Sequence, residues 1–258
     1  MRSHSIERFD VIEPSQEAQK IIENVLTYAS SKIMLSARSG SHNFNKYHNT
    51  LHELQHVYWA WSCYTNESSS GPKEGPSAQE LVMASLFHDH NHSGGSLPDS
   101  LNIERATEFL QREWGVKEPV IKLVEVTQFD GKKFPVEPEN LAERCMRDAD
   151  LCSIYTQEGH RLLLGLFEEM SRKPLREFSD DEMRTAISRS ENFLWEHDMY
   201  TEHGNRMKDE HLVSALHVFE DYAWRKWEYA VNAFEPTPSQ RAAARSANRG
   251  GPQIDLPI

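Results

Sequence analysis

Apolar residues recur at three- and four-residue steps along most of the chain, the spacing that puts one stripe on a helix. Behind Pro14-Ser15, Ile21, Ile22, Val25, Leu26 and Ala29 carry a predicted helix to about Met34. A small, polar loop over 36–45 follows, then a helix from about Tyr47 to Tyr64. Residues 65–77, TNESSSGPKEGPS, have no period and read as a mobile loop. Ser77 with Glu80 three residues on is a capping box that starts the helix AQELVMASLFHDH. After the turn-rich 93–101, NIERATEFLQREWG is a helix stopped by Gly115. PVIKLVEVTQF is read as a helix, with a buried strand as the competing assignment because of its β-branched content. Residues 139–156, 159–171 and 179–198 are helical in pattern, the last opened by the acidic run Ser179-Asp180-Asp181-Glu182. A long helix from about Met207 to Phe234 carries Leu212, Leu216, Phe219, Tyr222, Ala223, Trp227 and Ala230 on one stripe. The expected architecture is all-α. It has one helical domain over 1–234, with a motif-bearing core at about 20–165 and a helical extension at 166–234, then a disordered tail at 235–258.

Composition narrows the partners. The formal net charge of −12 repels phosphate backbones and anionic membranes, so a long nucleic acid and a membrane surface are not expected. The N-terminal stretch MRSHSIERFDVIEPS is charged where a signal peptide needs an apolar run. Cys63, Cys145 and Cys152 are odd in number, lack a C-x-x-C pattern and read as reduced packing residues, which suits a cytoplasmic setting. Trp59, Trp61, Trp195, Trp224 and Trp227 read as core or interface residues rather than a base-stacking platform. The long last helix leaves a homo-oligomer open.

Histidine changes the picture. The chain has 13, and six of them fall from His48 to His92. His48, His52 and His56 stand four apart, one above another on a helix face, where two imidazoles can converge on one ion. His88-Asp89 ends a strongly apolar helix, where an unpaired carboxylate is costly and a cation is a natural partner. Asp150 lies between Ala149 and Leu151 in similar company, and Asp148 is the neighbour that a different helical register would present instead. A buried aspartate can also simply cap a neighbouring helix. Neutral imidazoles with carboxylates suit Zn, Mn, Fe, Co or Ni without choosing among them. His56 reads either as an outer partner of the site or as a core histidine; His90 reads as surface. Arg105, Arg144 and Arg147 could meet a substrate phosphate, but solvated helix faces are the plainer reading.

The ordered set His … His-Asp … Asp resembles the HD superfamily of metal-dependent phosphohydrolases. Tyr47-His48-Asn49-x-x-His52 and Phe87-His88-Asp89-x-x-His92-x-Gly94 are similar to segments of cyclic-nucleotide phosphodiesterases. Asn102-Ile103-Glu104-Arg105-Ala106, Thr127 and Asp148-Ala149-Asp150-Leu151 are similar to a group of small predicted HD phosphohydrolases. The resemblance implies that His52, His88, Asp89 and Asp150 hold one divalent transition metal. Asp89 would bridge to a second ion, such as Mg, if there is one. It implies that His48 protonates the leaving oxygen and that His92 helps orient the attacking water. No residue is assigned to substrate. The 65–77 loop lies outside the family's core pattern, and no purine-clamping glutamine aligns after Asp150.

The function this implies is hydrolysis of a phosphate ester or anhydride of a small molecule, with a nucleotide as first choice. One alternative is a di-iron oxygenase of the same fold acting on a small phosphonate or polyol. Its second iron needs further histidines, and none occurs from 93 to 149. The other alternative is a catalytically silent nucleotide-binding module, against which the intact ligand set argues.

Overall fold

The structure is a computed structural model that describes residues 45–67 and 75–233. Among these residues there are eight α-helices and no strands, so the fold is all-α. In chain order they are α1 (Thr50–Glu67), α2 (Ala78–Phe87), α3 (Asp99–Trp114), α4 (Glu118–Glu125), α5 (Leu141–Cys152), α6 (Gln157–Ser171), α7 (Asp180–Glu196) and α8 (Glu202–Ala233), with short 3-10 turns at Ser153–Tyr155 and Leu175–Glu177. The predicted helix at 14–34, most of the 36–45 loop and the 235–258 tail lie outside the described residues.

Local chemistry sets the helix ends. Ser77 and Ser179 each close a capping box with the glutamate three residues on, so α2 and α7 begin where orphan backbone N–H groups find a side-chain oxygen. Gly115 ends α3 in the left-handed region, at φ 61°. The apolar run at 120–126 is helical rather than extended: Pro119 opens α4, and Val120, Ile121, Leu123 and Val124 are all buried. Several limits differ from expectation, two of them for a visible reason. Thr65, Asn66 and Glu67 extend α1 into the segment read as a loop, their side chains bonding back to carbonyls one turn earlier at Thr65 and Asn66. The last helix starts at Glu202, five residues early, because Asp148 satisfies the backbone N–H groups of Tyr200 and Thr201.

From Leu81 to Phe87 α2 is buried except at the partly exposed Met83, with Leu81, Val82, Leu86 and Phe87 worth about 1.5–3 kcal/mol each in burial. α1 packs most extensively on α5 and then on α2, so the start of α1, the end of α2 and the second half of α5 meet. Phe167, Met183, Leu212 and Phe219 share the same buried cluster as the residues before 165. The three cysteines are free and buried within it, as their apolar company suggested. No helix among the described residues is long and apolar enough to cross a membrane.

Candidate metal centre

Three separated stretches bring four side chains to one place. His52 on α1, His88 and Asp89 just past α2, and Asp150 on α5 face one another. His52 Nε2 and His88 Nε2 each lie 3.1 Å from Asp89 Oδ2, and 3.7 and 3.5 Å from Asp150 Oδ1. His52 and His88 are buried, while the Asp89 and Asp150 side chains are only 10% and 18% exposed. Bonds of about 2.1 Å to one cation, at angles between square and tetrahedral, put neighbouring ligand atoms about 3.0–3.4 Å apart. The observed separations fall at or near that range.

The polar bookkeeping agrees with a cation. His88 Nε2 and Asp89 Oδ2 are buried, close together and without an aligned hydrogen bond, a costly state that a metal ion relieves. His88 Nδ1 donates to the Ser85 carbonyl at 2.8 Å, so Nδ1 keeps its proton and Nε2 faces the centre, where a cation would take the place of the proton that Asp89 and Asp150 favour there. Burial pushes the carboxyl of Asp89 upward, but the imidazoles of His88, His48 and His52 outweigh it and hold the group well below the usual range. Asp150 is likewise ionised: burial opposes the charge, and His56, His88 and His52 outweigh it. His88 is held well above the ordinary histidine value, burial opposing and Asp89 and Asp150 prevailing. The residues present therefore fit a divalent ion: His52, His88 and Asp150 offer ligand atoms within 4.8 Å of one another, and His48, Asp89 and His92 form a second such group. Asp89 reaches both, since its Oδ2 also touches His52 and His88.

Beside the centre, the rings of His48 and His92 stack at 3.5 Å between centroids. Their orientation comes from Asn102, which the sequence motif includes, and from Glu169 and Asp99, which sequence reasoning missed. Glu169 on α6 accepts from the Nδ1 of His48 in a short contact, and from the backbone N–H groups of Tyr47 and His48 at 2.9 and 3.4 Å. Burial pushes Glu169 upward, but the hydrogen bond and charge of His48 keep it below the ordinary glutamate value. His92 Nε2 lies 3.4 Å from Asp99 and 2.9 Å from the amide of Asn102, whose Oδ1 accepts from the N–H of Ser93. Burial would lower His92, yet Asp99 and Asp89 raise it. A signal for Glu169 exists in the sequence: Leu162, Gly165 and Glu169 lie on one face of α6, so a carboxylate interrupts a buried stripe.

Two glycines make the approach possible. A Cβ on Gly165 would stand 2.5 Å from the carbonyl oxygen of Lys46, so only glycine lets α6 approach the segment carrying Tyr47 and His48. Gly94 has φ +62°, and a Cβ there would meet Asn45 at 2.7 Å while Asn45 holds the His92 carbonyl.

The other sequence candidates fall elsewhere. Asp148 turns away from the centre: Oδ1 accepts from the N–H of Tyr200, and Oδ2 from the N–H and hydroxyl of Thr201, so it caps α8. His90 packs half-buried on Phe109, at 3.7 Å between ring centroids, rather than lying on the surface. Arg147 is not on a solvated face. It is buried beneath the loop after α4, donating to the carbonyls of Val126 and Val136 and covering Phe134. Arg144 is exposed as expected, and Arg105 reaches the Asn91 carbonyl at 3.5 Å. Thr127 lies just past α4 and its hydroxyl donates to the Val124 carbonyl. Trp59 is core, whereas Trp195 is 52% exposed.

No family model matches this chain, and no curated protein or solved structure is significantly similar to it. The class the fold and site define is an all-α protein with a His/Asp cluster able to hold a metal ion.

Proposed function

We propose that the chain is an HD-type metal-dependent hydrolase that cleaves a phosphate ester or anhydride of a small molecule, with a nucleotide as first choice. The observation carrying this reading is the pairing of two groups through Asp89: a buried His/Asp set fit for a cation, and a stacked His48–His92 pair beside it. Zn, Mn, Fe, Co or Ni suits the donors, with room in the reading for a second ion such as Mg. A divalent ion here would supply Lewis acidity and hydroxide near neutral pH, and offset charge on phosphoryl oxygens.

The chain's own residues account for the rest. Glu169 accepts from Nδ1 of His48, so when the ring carries a second proton that proton is on Nε2, the atom left to give it to a leaving oxygen. Asp99 and Asn102 hold His92 where it can orient water. Burial of His52 and His88 keeps bulk water from the ligands, which strengthens each interaction with a phosphate. The net charge of −12 supports a small substrate over a long polyanion.

Phosphate release from a panel of nucleotides, cyclic nucleotides and deoxynucleoside triphosphates, with each metal added in turn, tests the reading. Turnover of at least one substrate that needs added metal is expected, and His48→Ala should keep the metal while losing about 100-fold or more in rate. Tight nucleotide binding without turnover under every metal would instead indicate a binding module, and turnover that needs dioxygen would indicate an oxygenase.

A further inference from the structure

His56 stands one turn after His52 on α1, fully buried, and belongs to neither group of ligand atoms. Its Nε2 is 3.3 Å from Asp150 Oδ1, the same oxygen that faces His52 and His88. Its ring lies 4.1 Å from that of His88, tilted by 32°. Neither of its nitrogens has an aligned hydrogen-bond partner, although both are sealed from solvent. A core histidine held for packing alone would leave two polar atoms unpaired, at a cost of about 1–3 kcal/mol each.

We propose that His56 is a positioning residue for Asp150, its Nε2–H holding Oδ1 toward the cation. This rests on the metal-site reading given above. A carboxylate oxygen has two lone pairs, so Oδ1 can face an ion with one and accept from His56 with the other. Wholly buried, the ring carries an N–H that needs an acceptor, and the carboxylate of Asp150 is within its reach. Facing a carboxylate, that proton belongs on Nε2. Among the described residues no backbone N–H donates to Asp150, unlike Asp148, so its direction depends on these imidazoles. The arrangement inverts the common one, in which a carboxylate orients a ligating histidine.

The test is Co²⁺ affinity by chelator competition, with the visible d–d spectrum of the bound ion, on the full chain. His56→Phe fills the space without a donor; His56→Gln places an amide N–H within reach of the same oxygen. The wild type is expected to bind Co²⁺, the Phe variant 10–100-fold more weakly with altered d–d bands. The Gln variant should recover most of the loss. Circular dichroism checks folding, and His56→Met replaces Phe if that variant does not fold. Binding by the donor-less variant within twofold of wild type, with the same spectrum, overturns the proposal, as does a Gln variant no better than Phe. A wild type that binds no Co²⁺ overturns the metal-site reading itself, which is a different result from equal binding by wild type and variant.

Discussion

Asp148 and Asp150 are two residues apart on α5, yet the structure gives them opposite work, and a pair of isosteric substitutions separates them. Asp148 is wholly buried and accepts three hydrogen bonds, from the N–H of Tyr200 at 2.8 Å and from the N–H and hydroxyl of Thr201 at 2.9 and 2.6 Å. In Asp148→Asn one oxygen becomes an NH₂, so a donor is turned on a backbone donor at the start of α8. An unsatisfied buried group costs about 1–3 kcal/mol, and the weakened neighbouring bond adds to it, giving about 2–4 kcal/mol. The wild-type carboxylate offsets part of this, because burial raises it above the usual aspartate value despite the Thr201 and Tyr200 bonds. Against a typical margin of about 5–15 kcal/mol the loss is large. With an m-value of about 1–3 kcal/mol/M, it moves the urea midpoint down by about 1–2 M, read by tryptophan fluorescence. Asp150→Asn should shift that midpoint far less and abolish Co²⁺ binding, while folded Asp148→Asn protein binds Co²⁺ as wild type does. The reverse pattern, metal lost with Asp148 and stability lost with Asp150, would refute the register of α5 and the ligand assignment with it.

Gly165→Ala forces its Cβ against the Lys46 carbonyl at 2.5 Å; a loss of about 1–3 kcal/mol in urea unfolding is expected, and an unchanged midpoint would contradict the close approach of α6 to the His48 segment. Glu169 has a folded pKa below its unfolded one, so its contribution is complete above the unfolded value and disappears as pH falls through the folded value. The urea midpoint of Glu169→Gln should therefore decline less than that of wild type between about pH 6 and about pH 3; parallel declines would contradict the His48–Glu169 pairing. Arg147→Met loses the bonds to Val126 and Val136, and limited proteolysis should cut the 126–136 loop faster; equal rates would show that the guanidinium does not hold it.

Elements with strong local punctuation were legible from residues alone. The capping boxes at Ser77 and Ser179 and the stop at Gly115 fall where the sequence places them, because each depends on neighbours within one turn. The start of α8 was not legible, since its cap is Asp148, more than fifty residues earlier. The site divides in the same way. Histidines four apart and a His-Asp pair on an apolar helix announce themselves, and the structure brings His52, His88, Asp89 and Asp150 together with His48 and His92 alongside. Asp99 carries no local signature of a site and Glu169 only the faint one of an acid on a buried stripe: each is one acid among 40, and only the packing of α6 and the turn before α3 show what they touch. Arg147 shows the opposite error, since a basic residue near a motif suggests phosphate until its burial under Phe134 is seen.

If two imidazoles and two carboxylates share one cation, crystals grown with Mn²⁺ or Zn²⁺ and measured at the metal's absorption edge will show it. An anomalous peak is expected about 2–2.3 Å from His52 Nε2, His88 Nε2, Asp150 Oδ1 and an oxygen of Asp89. Strong anomalous density elsewhere on the chain, with those four side chains bound only to each other, would contradict it.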